Sequence, residues 1–333
     1  MRVAVIGAGA VGTRLARQLV SSDDVTSVLL RDERADRLEA VVESLGAPAE
    51  VDRAPADQAV DVDVAVLAGP VGTHIGPARA FLAARVPVVS VSDAVDDVRE
   101  LLDLDLEARE RGVPVVVGAG FAPGLSCVLA RHAADRFDAV DEIHVARVGT
   151  GGPACARQHH AALGGEALDW RDGAWVQRPG GSGRELCWFP DPIGGRDCYR
   201  AALPDALLLV PAFPGVGRVT ARVGATRRDR LTARLPMLWP THPEGGPGAL
   251  RVEVRGRRGT SRDVVVYGAM DRAAVGAGAV AAVTALLAAR GELAQVGATG
   301  LAPQVDPVPF LAELARRGVR AAAFHGSAVD PAA

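Results

Sequence analysis

The chain has 333 residues, a formal net charge of −3 and no lysine: all 37 basic side chains are arginine, against 40 carboxylates. The missing amine excludes Schiff-base chemistry, the phosphate-binding lysine of a P-loop NTPase, and dehydrogenases built on a Tyr-x-x-x-Lys pair or a Glu-Lys-Pro motif. The near-neutral balance offers no basic face for nucleic acid, and 49% hydrophobic content with 4% aromatics predicts a folded core of Val, Leu and Ala. The arginine-only bias is what a GC-rich genome produces. The length suggests two domains. Cys127, Cys155, Cys187 and Cys198 form no CxxC pair, so neither a zinc ribbon nor a disulfide framework is expected. The N-terminus enters a strand directly, without a signal-peptide layout, so a cytoplasmic protein is expected. The longest uncharged run, between Arg272 and Arg290, is mostly Ala, Gly and Val. It reads as a buried helix, not a membrane span.

In chain order, residues 2–6 form a short apolar strand, followed by Gly7-Ala8-Gly9-Ala10-Val11-Gly12 and a helix through Val20. Gly7 permits the tight turn, Gly9 the close approach of a pyrophosphate, and Gly12 the packing of helix on strand. The helix N-terminus offers free N–H groups and a positive dipole end to the phosphates. A second strand, Ser27–Leu30, ends at Asp32, 20 residues past Gly12. A carboxylate there suits the adenosine ribose hydroxyls and argues for NAD. Arg31 and Arg34 flank it and would instead grip a 2′-phosphate, so NADP stays open.

Strand–helix alternation continues: a strand at 62–67 ending in Ala68-Gly69-Pro70, a helix at 71–84, and a strand at 86–91 ending in Ser92-Asp93. An acidic helix and a strand at 113–117 follow. This βαβ rhythm predicts a parallel sheet covered on both faces. Ligands sit outside the carboxyl ends of such strands, which selects Ala68, Gly69, Pro70, Ser92, Asp93 and Gly118–Gly120. Asp93 reads either as a helix N-cap or as a catalytic group.

Gly118-Ala-Gly-Phe-Ala-Pro-Gly124 then turns into a helix whose N-terminus faces the cleft, suited to a carboxylate or to the nicotinamide amide. Gly120-Phe121-Ala122-Pro123-Gly124 is similar to the G-x-x-P-G turn of the saccharopine dehydrogenase-like family of NAD(P)-dependent amino-acid oxidoreductases. Near the C-terminus the helix Val275–Arg290, the turn Gly300-Leu301-Ala302-Pro303-Gln304 and the helix Phe310–Gly318-Val319 also resemble that family. Together the motifs cover about 190 of 333 residues, at both ends. The resemblance implies a Rossmann-type doubly wound α/β domain from residues 1–124 and 271–333. An inserted α+β substrate and dimerisation domain of mixed sheet would occupy 125–270. It also implies hydride transfer at an amine or imine carbon, as in lysine 6-dehydrogenation, saccharopine turnover or reductive coupling of polyamine type.

The middle of the chain changes character. Strands are expected at 142–148, 206–210, 218–223, 250–255 and 263–267, alternating as a half-exposed mixed sheet does. Trp170, Trp175, Trp188 and Trp239 all fall here, as pocket or interface residues or as filling for a thin core. Polar candidates are Arg157-Gln158-His159-His160, Glu185, Asp191 and Arg196-Asp197-Cys198-Tyr199-Arg200. Without lysine, a substrate carboxylate needs Arg157, Arg196 or Arg200, with Trp188, Pro123 and Gly124 beside them. His159, His160, Asp93 or Tyr199 would move the proton of the reacting nitrogen. His159 and His160, adjacent on a helix, point about 100° apart and no further ligand pattern follows them, so no metal is expected. His132 and His144 look structural. A hydroxyl dehydrogenase and a non-catalytic NAD(P)-sensing protein are the competing readings. The partner expected is an amino-acid-like small molecule, with no nucleic acid or membrane, in a homodimer.

Overall fold

The computed structural model describes residues 1–237 and 241–324. Trp239 and the tail beyond 324 lie outside the described residues. The first βαβ unit runs β1 (Arg2–Ile6), α1 (Ala10–Val20), β2 (Ser27–Arg31), α2 (Ala35–Leu45) and β3 (Ala49–Val51). The second runs β4 (Val64–Leu67), α3 (Ile75–Ala83), β5 (Val88–Ser90), α4 (Val95–Leu102), α5 (Asp105–Arg111) and β6 (Pro114–Val117). Then α6 (Leu125–Ala134), β7 (Ala139–Val148) and α7 (Pro153–Gly164) lead into two hairpins. These are β8 (Glu166–Arg171) with β9 (Ala174–Pro179), and β10 (Glu185–Trp188) with β11 (Gly195–Arg200). Next come α8 (Asp205–Ala212), β12 (Arg218–Gly224), α9 (Arg227–Thr232), β13 (Pro247–Arg258) and β14 (Ser261–Arg272). The chain ends through α10 (Ala273–Arg290), β15 (Gly297–Thr299), α11 (Pro307–Arg316) and β16 (Ala321–Ala323).

Seven strands form a parallel sheet in the order β15-β6-β5-β4-β1-β2-β3. Every residue of β4 is buried, as expected of a strand covered on both faces. The strand order reverses at β1, so a crevice opens between the carboxyl ends of β1 and β4. Leu15, Ala16 and Leu19 seat α1 on the sheet with no exposed surface, and each buried leucine contributes about 1.5–3 kcal/mol. Helix α10 is buried along its length and packs on α1, β4, β5 and α11. Its glycines set close approaches: a Cβ at Gly278 would stand 2.7 Å from Leu15 N, and one at Gly276 2.6 Å from the Phe121 ring. The C-terminal return therefore fixes both the phosphate-side helix and the 118–124 turn.

The second sheet has the order β10-β11-β12-β7-β13-β14-β16, with β8 on β12 and β9 on β8. Strands β7 and β12 are parallel and the other pairs antiparallel, so the sheet is mixed. The last described strand, β16, pairs with β14 in this sheet and not with the nucleotide sheet.

Two local expectations are corrected. Residues 206–210 form part of helix α8, not a strand. A uniformly apolar run has no period to choose between the two, and Asp205 in the first turn favours a helix start. The helix expected at 71–84 begins at Ile75, because Gly72 takes a φ of +82° and its N–H bonds Asp97 at 2.8 Å.

Candidate active site

A cleft of about 1000 Å³ runs across the carboxyl ends of the parallel strands, between the two sheets. Its phosphate side is the glycine turn. Gly7 has a φ of +110° and its missing Cβ leaves room for the Ala68 backbone at 2.6 Å. A Cβ at Gly12 would lie 1.8 Å from Gly7 O, so only glycine lets α1 sit this close. A Cβ at Gly9 meets nothing within 4 Å, because Gly9 faces open cleft. That empty cradle, with the N-terminus of α1 behind it, fits a dinucleotide pyrophosphate. Ala10, Val11, Ala68, Gly69 and Pro70 line the same wall. Gly69 O is held at 3.0 Å by His74, whose other ring nitrogen meets Ser90 Oγ at 2.9 Å.

Asp32 lies at the adenosine end. Its carboxylate accepts from Ala8 N at 2.7 Å and Arg34 N at 2.9 Å, and pairs with Arg37 at 2.5 Å. Arg34 and Arg37 both line the cleft there. Arg31, the other arginine considered for a 2′-phosphate, is turned away: it is buried against Asp52 and the carbonyls of Pro55 and Gln58.

At the opposite end, three to four strand spacings or about 14–19 Å across the sheet, Ser92, Asp93, Gly120 and Phe121 meet the N-terminal half of α7. Pro153 occupies the first turn of α7, and Cys155 and His159, four residues apart, share one face. His159 Nε2 lies 2.8 Å from Asp93 Oδ2 and 3.6 Å from Cys155 Sγ. Arg147, at the end of β7, stands 3.3 Å from Asp93 Oδ2 and donates to Ala122 O. Asp93 is no N-cap: Ala94 occupies that position of α4 without a side-chain cap. Burial would raise the Asp93 pKa, but the His159 hydrogen bond and the Arg147 charge outweigh it and hold it at about 2. Burial would lower that of His159, but the Cys155 sulfur and the Asp93 carboxylate outweigh burial and the Arg147 charge, raising it to about 9. The result is a buried His–Asp ion pair with the Cys155 sulfur beside it, open to the cleft.

The remaining candidates divide sharply. Arg157 lines the cleft from α7. His160 points the other way and ties α7 to the end of α9, with Nε2 at 2.8 Å from Thr232 O and 3.1 Å from Leu235 O. Trp188, Arg196, Tyr199 and Arg200 are not brought to the cleft, because β10 and β11 form the far edge of the second sheet. Trp188 is 61% exposed, Arg200 lies 3.3 Å from Asp169, and Tyr199 is buried under the Arg230 guanidinium, 4.2 Å from its ring. Glu185, on the same edge, pairs with Arg222 at 2.6 Å. Pro123 and Gly124 close the 120–124 turn on itself and are not among the residues that line the cleft: Pro123 O accepts from Gly120 N at 2.9 Å, and Gly124 has a φ of +128°. None of the three described tryptophans lines the cleft; Trp170 donates to Val216 O and stacks edge-on with Trp175. Arg147, Cys155, Arg37 and His74 were missed. For Cys155 a signal existed, since Cys-x-x-x-His puts two ligating side chains on one helical face.

Comparison with known proteins agrees with this layout. Residues 1–121 match the model of an oxidoreductase family with an NAD-binding Rossmann fold. A carboxynorspermidine synthase of Vibrio alginolyticus is 25% identical over 99% of this chain and 98% of its own length. Saccharopine dehydrogenase (L-Glu forming) from Saccharomyces cerevisiae superposes with a TM-score of 0.72 at 15% identity, covering 97% of this chain and 100% of that one. An amine dehydrogenase from Mycobacterium smegmatis has a TM-score of 0.55 at 11% identity, covering 92% of this chain and 96% of that one. The chain therefore has a saccharopine dehydrogenase-like fold, and residues 1–121 are similar to the NAD-binding Rossmann segment of that oxidoreductase family.

Proposed function

We propose that this oxidoreductase moves hydride between nicotinamide and the carbon of a C–N bond in an amino-acid derivative. The observation that carries the reading is the Asp93–His159–Cys155 cluster at the end of the cleft away from Asp32. Bound in the cleft, the nicotinamide supplies or accepts the hydride. The chain's own groups bind, orient and move the proton. With a pKa raised to about 9, His159 is protonated at neutral pH and serves as the acid for a nitrogen gaining a proton as its C=N bond is reduced. Its Nε2 proton lies between Asp93 and Cys155, so a substrate nitrogen reaching that edge takes it directly or through one water. Asp93 stays ionised and fixes the ring. Arg157 offers a fork for a substrate carboxylate at the same end of the cleft. The Vibrio relative, named for a carboxylated polyamine, supports a nitrogen-bearing substrate.

On this reading residues 1–124 and the return through α10, β15 and α11 hold the cofactor and 125–270 the substrate, with β16 joining the second sheet. We also propose a homodimer through the edge strand β10, where Leu186 and Trp188 are 59% and 61% exposed. The function is tested by following NADH and NADPH absorbance with a panel of imines, secondary amines, amino acids and hydroxy acids. Turnover confined to the nitrogen compounds is expected. Turnover confined to hydroxy acids, or cofactor binding without any turnover, refutes it.

A further inference from the structure

We propose that Asp93, Cys155 and His159 form a binding site for a thiophilic divalent cation of the Zn(II) class, and that its occupancy displaces the site's protons and arrests turnover. The arrest rests on the function proposed above; the binding does not.

Among the described residues, one oxygen, one sulfur and one nitrogen from these side chains lie within 4.8 Å of one another. The separations are 2.8 Å for His159 Nε2 to Asp93 Oδ2, 3.6 Å for Cys155 Sγ to His159 Nε2, and 4.0 Å for Cys155 Sγ to Asp93 Oδ2. A tetrahedral zinc with bonds of about 2.0–2.1 Å to N and O and about 2.3 Å to S needs ligand edges of about 3.3–3.6 Å. The His–Asp edge therefore opens by about half an ångström and the Cys–Asp edge closes by a similar amount, within reach of side-chain torsions alone. The short edge is the length of a hydrogen bond, which the metal would replace.

Two ligands lie one turn apart on α7, so the helix pre-orients them, and the third comes from the loop after β5. The fourth position faces the cleft, where water or substrate would complete the shell. A thiolate–imidazole–carboxylate set is borderline soft and suits zinc over magnesium or calcium. The guanidinium of Arg147, 3.3 Å from Asp93 Oδ2, does not forbid the ion. Zn(II) takes imidazole and thiolate in their deprotonated forms, so its binding expels whatever protons these two side chains carry. The groups that would exchange the substrate's proton are then committed to the metal.

The test uses the full chain titrated with Co(II) chloride and then Zn(II) chloride. A thiolate-to-cobalt charge-transfer band saturating at one equivalent, and bleached by one equivalent of zinc, is expected. Cys155→Ser should abolish the band, and His159→Gln should weaken zinc binding by at least about tenfold. NADH fluorescence titration of each variant checks that the cofactor half is intact. No thiolate band, or a band undiminished in Cys155→Ser, overturns the site. In turning-over protein one equivalent of Zn(II) should inhibit and a chelator restore the rate; zinc binding with undiminished rate overturns the arrest. Absence of turnover with every substrate speaks against the proposed function, while the cobalt spectrum still decides the site.

Discussion

Replacing Gly9 by valine separates cofactor binding from folding. Gly9 caps α1 with φ −73° and ψ −169°, extended backbone that any residue adopts, and a Cβ there meets nothing within 4 Å. Removing a glycine from the unfolded ensemble gains about 0.4–1 kcal/mol. Valine is a poorer N-cap than glycine, which offsets a similar amount. The thermal midpoint should therefore move by no more than about 2–4 °C. Cofactor binding should respond very differently, because the isopropyl group occupies the space through which the pyrophosphate reaches the first N–H groups of α1. Losing those charge-assisted hydrogen bonds costs at least about 3 kcal/mol, or more than about 100-fold in Kd. NADH fluorescence titration and calorimetric unfolding on the same sample read both effects. The control is Gly12→Ala, whose Cβ would sit 1.8 Å from Gly7 O and should unfold the glycine turn. A Gly9→Val protein that binds NADH like wild type, or one that fails to fold, refutes the assignment of the cradle.

The other predictions concern the reactive end and its supports. His159 has a folded pKa raised to about 9 from 6.5, so its stabilising contribution is full below about 6.5 and fades as pH rises through about 9. Asp93, lowered to about 2 from 3.8, contributes above about 3.8 and less as pH falls toward about 2. In metal-free protein, urea midpoints against pH should show both limbs, and His159→Gln should remove the alkaline one; an unchanged alkaline limb would sink the ion-pair account. Arg147→Met leaves Asp93 paired with His159 alone and removes the donor to Ala122 O, and should cost about 1–3 kcal/mol in urea unfolding; a loss below about 0.5 kcal/mol would show that the Arg147–Asp93 pair is solvated. His74, whose pKa burial pushes down despite Asp97 nearby, must take up a proton to unfold in acid. Its share of stability should therefore be lost as pH falls below about 6.5, and His74→Ala should cost about 1–3 kcal/mol by freeing Gly69 O and Ser90 Oγ. Asp32→Ala should weaken NADH binding more than NADPH binding, because it removes the ribose acceptor and releases Arg37; equal losses would place the ribose elsewhere.

What was legible in the sequence was local. The strand–GxGxxG–helix run, Asp32 and the strand-end residues 68–70, 92–93 and 120–121 all depend on short spacings, and all line or build the cleft. Helix α10 was legible as a buried helix because its residues are small or apolar and uncharged up to Arg290. The reactive cluster was half legible. His159 and Asp93 could be named, but their pairing spans 66 residues, and Arg147 comes from a strand whose alternation marks it only as one polar position among several. Arg196, Tyr199 and Arg200 looked like a site because polar residues crowd together, yet β11 lies two strands from β7 and faces other partners. The turn Pro123-Gly124 was expected beside the substrate, but it bonds back to Gly120 and is not among the residues that line the cleft.

The central claim is hydride transfer at a carbon bonded to nitrogen, and isotopic labelling tests it most directly. The chain is incubated with NADH or NADPH deuterated at the transferring position, together with an aldehyde or keto acid and an amine. The product is then analysed by mass spectrometry and NMR. The account predicts one deuterium on the carbon that has become bonded to nitrogen, with the label lost in His159→Gln while cofactor affinity is kept. Deuterium on a carbinol carbon, or labelled product formed equally well without His159, would contradict it.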